Sequence, residues 1–171
     1  MKKFLYVIAL VFCLGSCVLN DDSEDEVSKN LLDVGTEAPD FMIYTNDNPE
    51  GFLFSSLRGK CVVLEFWRSW CSDCQAAEPT VKALHTQYAS NDTVFVGVSF
   101  DTDSTAWQGY IDEHELNWIQ FTELKAMKES PVAALYGVKW TPTFYIIDAE
   151  GKIEYGTIEV DDLAKELASD D

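Results

Sequence analysis

Cys71 and Cys74 stand three residues apart in Trp70-Cys71-Ser72-Asp73-Cys74, and their type and spacing point to chemistry. The run before them, Cys61-Val62-Val63-Leu64-Glu65-Phe66-Trp67, has the continuous apolar character of a buried strand. The run after them, Gln75 to Tyr88, reads as a helix. A Cys-x-x-Cys at a strand-to-helix junction puts the first sulfur on the first turn of the helix. There, unpaired backbone N–H groups and the positive end of the macrodipole favour a thiolate. The spacing keeps the second sulfur near enough to close a small disulfide ring. These features equip the chain for reversible thiol–disulfide exchange.

Elements on both sides must position these sulfurs. Phe41 to Tyr44 and Phe52 to Leu57 read as short strands around a turn at Asn46-Asp47-Asn48-Pro49-Glu50-Gly51. Thr93 to Phe100 is a second continuous apolar strand, of the kind buried on both faces of a parallel sheet. Ser104 to Glu115 is expected as a helix with Ser104 as its N-cap, and Trp118 to Phe121 as a strand. Pro131 to Tyr136 is a short helix closed by Gly137. Thr143 to Ile147 and Lys152 to Tyr155 flank the hairpin signal Asp148-Ala149-Glu150-Gly151, and Asp161 to Ala168 is a final helix. Pro79, inside the helix after Cys74, is expected to kink it. The alternation predicts an α/β fold, with a mixed central sheet, helices on both faces and an N-terminal strand extension.

The 171 residues suffice for one domain, and an apolar fraction of 47% supplies its core. A formal net charge of −18 argues against nucleic acid and anionic membrane surfaces as partners. Lys2 and Lys3 followed by the apolar run Phe4 to Leu14 read as an export signal, too short to span a bilayer. Leu14-Gly15-Ser16-Cys17 resembles the lipobox of bacterial lipoproteins, in which the chain is cut before the Cys and the Cys is acylated. The expected organisation is a leader at 1–16, an acidic flexible tether at 17–33 that starts from lipidated Cys17, and a domain at 34–171. Asn20-Asp21-Asp22-Ser23-Glu24-Asp25-Glu26 loosely resembles the acidic surface-export signal of some Bacteroidetes-type lipoproteins. It reads equally as a solvated spacer, so a periplasmic and a cell-surface location both stay open. With Cys13 removed and Cys17 acylated, Cys61, Cys71 and Cys74 remain, enough for one pair and one leftover. Cys61 is expected to be a small buried hydrophobe.

Phe66-Trp67-Arg68-Ser69-Trp70-Cys71-Ser72-Asp73-Cys74, Pro79 and Trp140-Thr141-Pro142-Thr143-Phe144 together resemble thioredoxin-fold proteins. Gly35-Thr36-Glu37-Ala38-Pro39-Asp40-Phe41, Arg58-Gly59-Lys60 and Val96-Gly97-Val98-Ser99-Phe100-Asp101 narrow this to the exported TlpA/ResA group of the redoxin/peroxiredoxin superfamily. The resemblance implies an exposed nucleophile at Cys71, a buried resolving cysteine at Cys74 and a cis-proline at Pro142. It implies that Thr141, before that proline, tunes redox behaviour. Glu65, six residues before Cys71, falls where thioredoxins keep a buried acid that manages the proton of the second cysteine. Burial should raise its pKa toward neutrality. Trp67 and Trp70 match aromatics around the site. Ser72 and Asp73 depart from the family, in which proline commonly precedes the second cysteine. Asp73 should oppose a thiolate at Cys71, and Arg68 should offset it.

The leading expectation is a membrane-anchored oxidoreductase that reduces protein disulfides, apocytochrome c among them by resemblance, with electrons from another redox protein. It needs no cofactor or metal, and its domain is expected to be monomeric. A thiol peroxidase of the redoxin type would place Thr three residues before its cysteine and Pro four before that. Arg68 and Leu64 stand there relative to Cys71, and Cys71 and Trp67 relative to Cys74. A copper-handling lipoprotein binding Cu(I) between Cys71 and Cys74 is the third reading. His85 and His114 lie in helical segments without metal-ligand spacing and are expected at the surface.

Overall fold

The computed structural model describes residues 30–169. The expected leader, Cys13, the acylated Cys17 and the acidic run to Glu26 lie outside these residues. Strand β3 (Cys61–Trp67) forms the middle of a five-stranded sheet. It pairs in parallel with β4 (Thr93–Ser99), with Cys61 opposite Thr93 and Trp67 opposite Ser99. Beyond β4 lies β5 (Ile119–Thr122), also parallel. On the other side β3 pairs antiparallel with β6 (Thr143–Ile147), and β6 with β7 (Ile153–Thr157). The order β5-β4-β3-β6-β7 makes the mixed sheet that the alternation predicts.

The strands β3 and β4 are buried on both faces because helices cover both. Val63, Phe95, Phe144 and Ile146 pack against Ala77, Val81 and Leu84 of helix α1 (Ser72–Tyr88) and Leu163 and Leu167 of helix α4 (Val160–Ser169). Helix α2 (Ser104–His114) crosses between β4 and β5 in the same rotational sense as α1 does between β3 and β4. Trp107, Tyr110 and Ile111 of α2 therefore pack beside Trp67 on the α1 face. On the opposite face Leu64, Phe66, Val96 and Val98 meet helix α3 (Pro131–Leu135) and the small ribbon of β1 (Met42–Ile43) and β2 (Phe52–Leu53). Phe66 is the centre of this layer, with ring centroids 5.3 Å from Tyr136 and 5.9 Å from Phe100. Each buried tyrosine hydroxyl finds a carbonyl, Tyr145 at Tyr136 (2.6 Å) and Tyr136 at Pro39 (2.7 Å). Leu31 and Leu32, on the tether side of the expected boundary at Val34, also pack against this core. The Leu32 N–H donates to the Tyr145 hydroxyl.

Local departures from the expected elements have physical causes. Phe52 to Leu57 is not one strand: only Phe52 and Leu53 pair, and Phe54–Leu57 turns into a 3-10 helix that buries Phe54 against Phe41. Helix α2 is capped by Asp103 rather than Ser104, its carboxylate accepting from the Thr105 and Ala106 N–H groups. Cys61 is half-buried at the first residue of β3, where its N–H donates to the Asp92 carbonyl at 2.8 Å. Pro79 lies inside helix α1, where the sequence places it, and the helix runs on to Tyr88.

Gly97 on β4 leaves room for a buried hydrogen bond, Trp67 Nε1 donating to Gln120 Oε1 at 3.2 Å. A Cβ there would collide with Gln120 Oε1 and stand 3.0 Å from Trp67 Nε1. Gly97→Ala is expected to destabilise the fold by about 1–3 kcal/mol in denaturant unfolding. An unchanged midpoint would show that the layer between β4 and α2 yields freely.

Candidate active site

A clamp on Ser69 places the first sulfur. Beyond Trp67 the chain leaves the sheet, and the buried Asp101 carboxylate accepts from the Ser69 N–H (3.0 Å) and the Ser69 hydroxyl (2.7 Å). The Ser99 hydroxyl also donates to Asp101, and Gln75 Nε2 donates to the Ser69 carbonyl at 2.7 Å. Both backbone polar groups of Ser69 are thus held, and the turn delivers Cys71 to the start of α1. Cys71 is the N-cap, and its Sγ accepts from the Cys74 N–H at 3.3 Å. Ser69, Asp101 and Gln75 were not singled out from sequence. Asp101 is 32 residues from Ser69, and the signal that could have found it is the polar pair Ser99 and Asp101 ending an otherwise apolar strand.

The cis peptide bond between Thr141 and Pro142 brings a second segment to the same sulfur. As a thiol, Cys71 donates to the Thr141 carbonyl at 3.3 Å. The Thr141 hydroxyl stands 3.5 Å from Cys71 Sγ and donates to it. Arg68 Nε donates in turn to Thr141 Oγ1 at 2.9 Å, which leaves the hydroxyl proton for the sulfur. The Arg68 guanidinium also lies 4.2 Å over the exposed Trp70 ring. Trp140 is exposed just before Thr141, a position that no local spacing marks as functional.

Cys71 is not the exposed cysteine of the expectation. It is 6% exposed and Cys74 5%, because Trp67, Cys74 and Leu116 pack around it and the Thr141 loop lies against its sulfur. Polar contacts, rather than exposure, distinguish the two sulfurs. Burial works to raise the Cys71 thiol, but the Cys74 side chain and backbone, the Thr141 hydroxyl and the Arg68 charge outweigh it. The net direction is down, despite Asp73 in the first turn of the helix. Burial pushes the Cys74 thiol far up, and its contact with Cys71 adds to the rise. One sulfur favours the thiolate and its neighbour the thiol.

Glu65 lies beneath them on β3, opposite Gly97 and Phe144. Burial, then the nearby charge of Glu78, pushes its carboxyl up to about 8. Glu65 and Cys74 line the same small cavity, together with Glu78 and Tyr110. Neither histidine is simply at the surface. His85 is half-buried against Phe95 and Trp118, and His114 Nδ1 lies 2.9 Å from Glu78 Oε1.

The family model for AhpC/TSA matches residues 34–156. A thiol-disulfide oxidoreductase ResA from Oceanobacillus iheyensis is 31% identical over 153 residues, covering 88% of this chain and 74% of that protein. Among solved structures, a thiol-disulfide oxidoreductase from Bacteroides fragilis superposes with a TM-score of 0.71 at 27% identity, covering 78% of this chain and 98% of that one. The thioredoxin domain of a thiol-disulfide oxidoreductase from Bacteroides vulgatus gives a TM-score of 0.71 at 25% identity, covering 81% and 97%.

The raised carboxyl of Glu65 has a stability signature. Between its ordinary 4.5 and about 8, the folded chain holds a proton that the unfolded chain has released. Stability therefore falls as pH rises through that window, by about 1.4 kcal/mol per unit and of order 5 kcal/mol in all. Glu65→Gln is expected to remove this decline, so that the variant gains on the wild type from pH 5 to pH 8 in denaturant unfolding. Parallel pH profiles for the two proteins would contradict the assignment.

Proposed function

The chain belongs to the AhpC/TSA family with a thioredoxin-like fold, and from that footing we propose that it is an exported, lipid-anchored protein that reduces disulfides of other proteins through Cys71 and Cys74. That it is a thiol–disulfide oxidoreductase follows from its relatives. The observation that carries the assignment to residues is the split between two sulfurs three positions apart, one held toward the thiolate and the other held as the thiol.

In this reading the Cys71 thiolate attacks a substrate disulfide. One substrate sulfur leaves as a thiolate, and the other is held in a mixed disulfide with Cys71. Once Glu65 has released its own proton, Cys74 passes its proton to the Glu65 carboxylate and attacks Cys71 Sγ, forming the Cys71–Cys74 disulfide and releasing the second substrate sulfur as a thiolate. Two electrons have moved to the substrate, so another redox protein must return the pair to the dithiol. The Thr141 hydroxyl and Arg68 support the attacking thiolate. Trp70 and Trp140, exposed beside Cys71 and Thr141 in sequence, offer aromatic surface on which a protein substrate can settle. Trp67 holds the floor of the site through Gln120.

Export and anchoring rest on the N-terminal sequence, with its basic start, short apolar run and Cys17 in a lipobox-like setting. No helix among the described residues is long and apolar enough to cross a membrane. In this reading attachment is through acylated Cys17, and the tether ends before Leu31 and Leu32, which pack into the domain. Substrates are unfolded or oxidised exported proteins, with apocytochrome c as the candidate that the family resemblance supplies.

Two substitutions test the assignment against a model protein disulfide with a thiol regenerant. Cys71→Ser is expected to lower turnover ~100-fold or more. Cys74→Ser is expected to stall as a mixed disulfide, resolved by mass on a non-reducing gel. Wild-type turnover by Cys74→Ser, or activity retained by Cys71→Ser, would overturn the roles.

A further inference from the structure

A proton delivered to Glu65 has to leave a buried carboxyl before the next cycle, and a graded set of side chains runs from it to solvent. Glu65 and Cys74 line a cavity of about 10 Å³, close to the space that one water molecule fills. Glu78 of α1 lines the same cavity. Its two carboxylate oxygens are separately engaged from α2: Tyr110 donates its hydroxyl to Oε2 at 2.6 Å, and His114 Nδ1 meets Oε1 at 2.9 Å. The Tyr110 and His114 rings stack with centroids 3.9 Å apart, so the imidazole is held in one orientation. Lys82 Nζ donates to the His114 carbonyl at 2.6 Å and fixes the end of α2 against α1. Exposure rises along the series, from 8% at Glu65 to 15% at the Glu78 side chain and 34% at the His114 side chain.

We propose that Glu78 and His114, with Tyr110 holding both in place, form the outlet through which the proton taken from Cys74 passes from Glu65 to solvent. The inference rests on the exchange reading of Cys71 and Cys74 and adds to it a route and three residues. As the Cys71–Cys74 bond forms and the substrate thiolate leaves, the Cys74 proton moves to the Glu65 carboxylate. It crosses the small cavity to Glu78, passes to the imidazole, and leaves from the exposed ring to water. The His114 ring is the most exposed of the three groups, which suits the outer station. Tyr110 keeps its proton, since burial and the hydrogen bond to Glu78 hold its hydroxyl far above neutrality. It is a positioning residue, fixing the carboxylate and the ring. The titratable and charged groups at the outlet are Glu65, Cys74, Glu78, Tyr110, His114 and Lys82.

The test separates the two chemical steps in single-turnover experiments with the full chain. Formation of the mixed disulfide reports attack by Cys71, and release of the second substrate thiol reports resolution by Cys74. His114→Ala is expected to leave the first step unchanged and to slow the second about tenfold at neutral pH. Free imidazole in the buffer should restore the second step, and Glu78→Gln should slow it without responding to imidazole. Resolution by His114→Ala at the wild-type rate would overturn the outlet, as would a loss that imidazole leaves untouched while the unfolding midpoint stays at the wild-type value. A wild-type protein that forms no mixed disulfide at all would instead overturn the exchange reading and the outlet with it.

Discussion

The hydrogen bond from the Cys74 N–H to Cys71 Sγ makes a sulfur the cap of helix α1. Helix starts leave backbone N–H groups without partners, and the usual cap is an oxygen. A thiol is a poor acceptor and a thiolate a good one, so capping by sulfur rewards ionisation of Cys71. Much else in the structure serves to keep that sulfur at the helix start. Asp101 and Gln75 immobilise Ser69, which sets the angle at which the chain leaves β3. The cis bond before Pro142 brings Thr141 to the other side of the sulfur, and Arg68 orients the Thr141 hydroxyl toward it.

The same packing that favours one thiolate opposes a second. Cys71 and Cys74 are almost equally removed from solvent, yet donors outweigh burial only at Cys71; at Cys74 burial outweighs the Arg68 N–H and the Thr141 hydroxyl. Cys74 shares a small cavity with Glu78, Tyr110 and Glu65, whose own ionisation is disfavoured by burial. An arrangement with both sulfurs charged would place two anions above a third group that resists charge. The proton that Cys74 keeps is therefore built into the fold, and moving it is the part of the cycle that needs a base and an exit.

Much of the fold was legible in the sequence, because the two central strands are continuous apolar runs and the connections between them are long enough for helices. The edges were less legible. Phe54 joins the core through its ring rather than through strand pairing, and alternation alone does not distinguish the two. Asp103 and Ser104 are both good caps, and only the geometry of the turn selects the aspartate. In the site, local spacing marks Cys71 and Cys74, while Thr141 and Pro142 enter through a motif 70 residues away. Asp101, Gln120 and His114 act through tertiary contacts with no sequence spacing of their own. His114 looks like a surface residue because its helix shows polar neighbours, and only the packing of α2 on α1 brings it to Glu78.

Exchange at this site depends on the two sulfurs having opposite proton preferences, and the pH dependence of the ¹³Cβ chemical shifts of Cys71 and Cys74 in the reduced protein measures this without requiring access to either. The structure predicts two separated titrations, with Cys71 ionising below the ordinary thiol value of 9.0 and Cys74 staying protonated well above it. Coincident titrations, or Cys74 ionising first, would contradict opposite proton preferences of the two sulfurs.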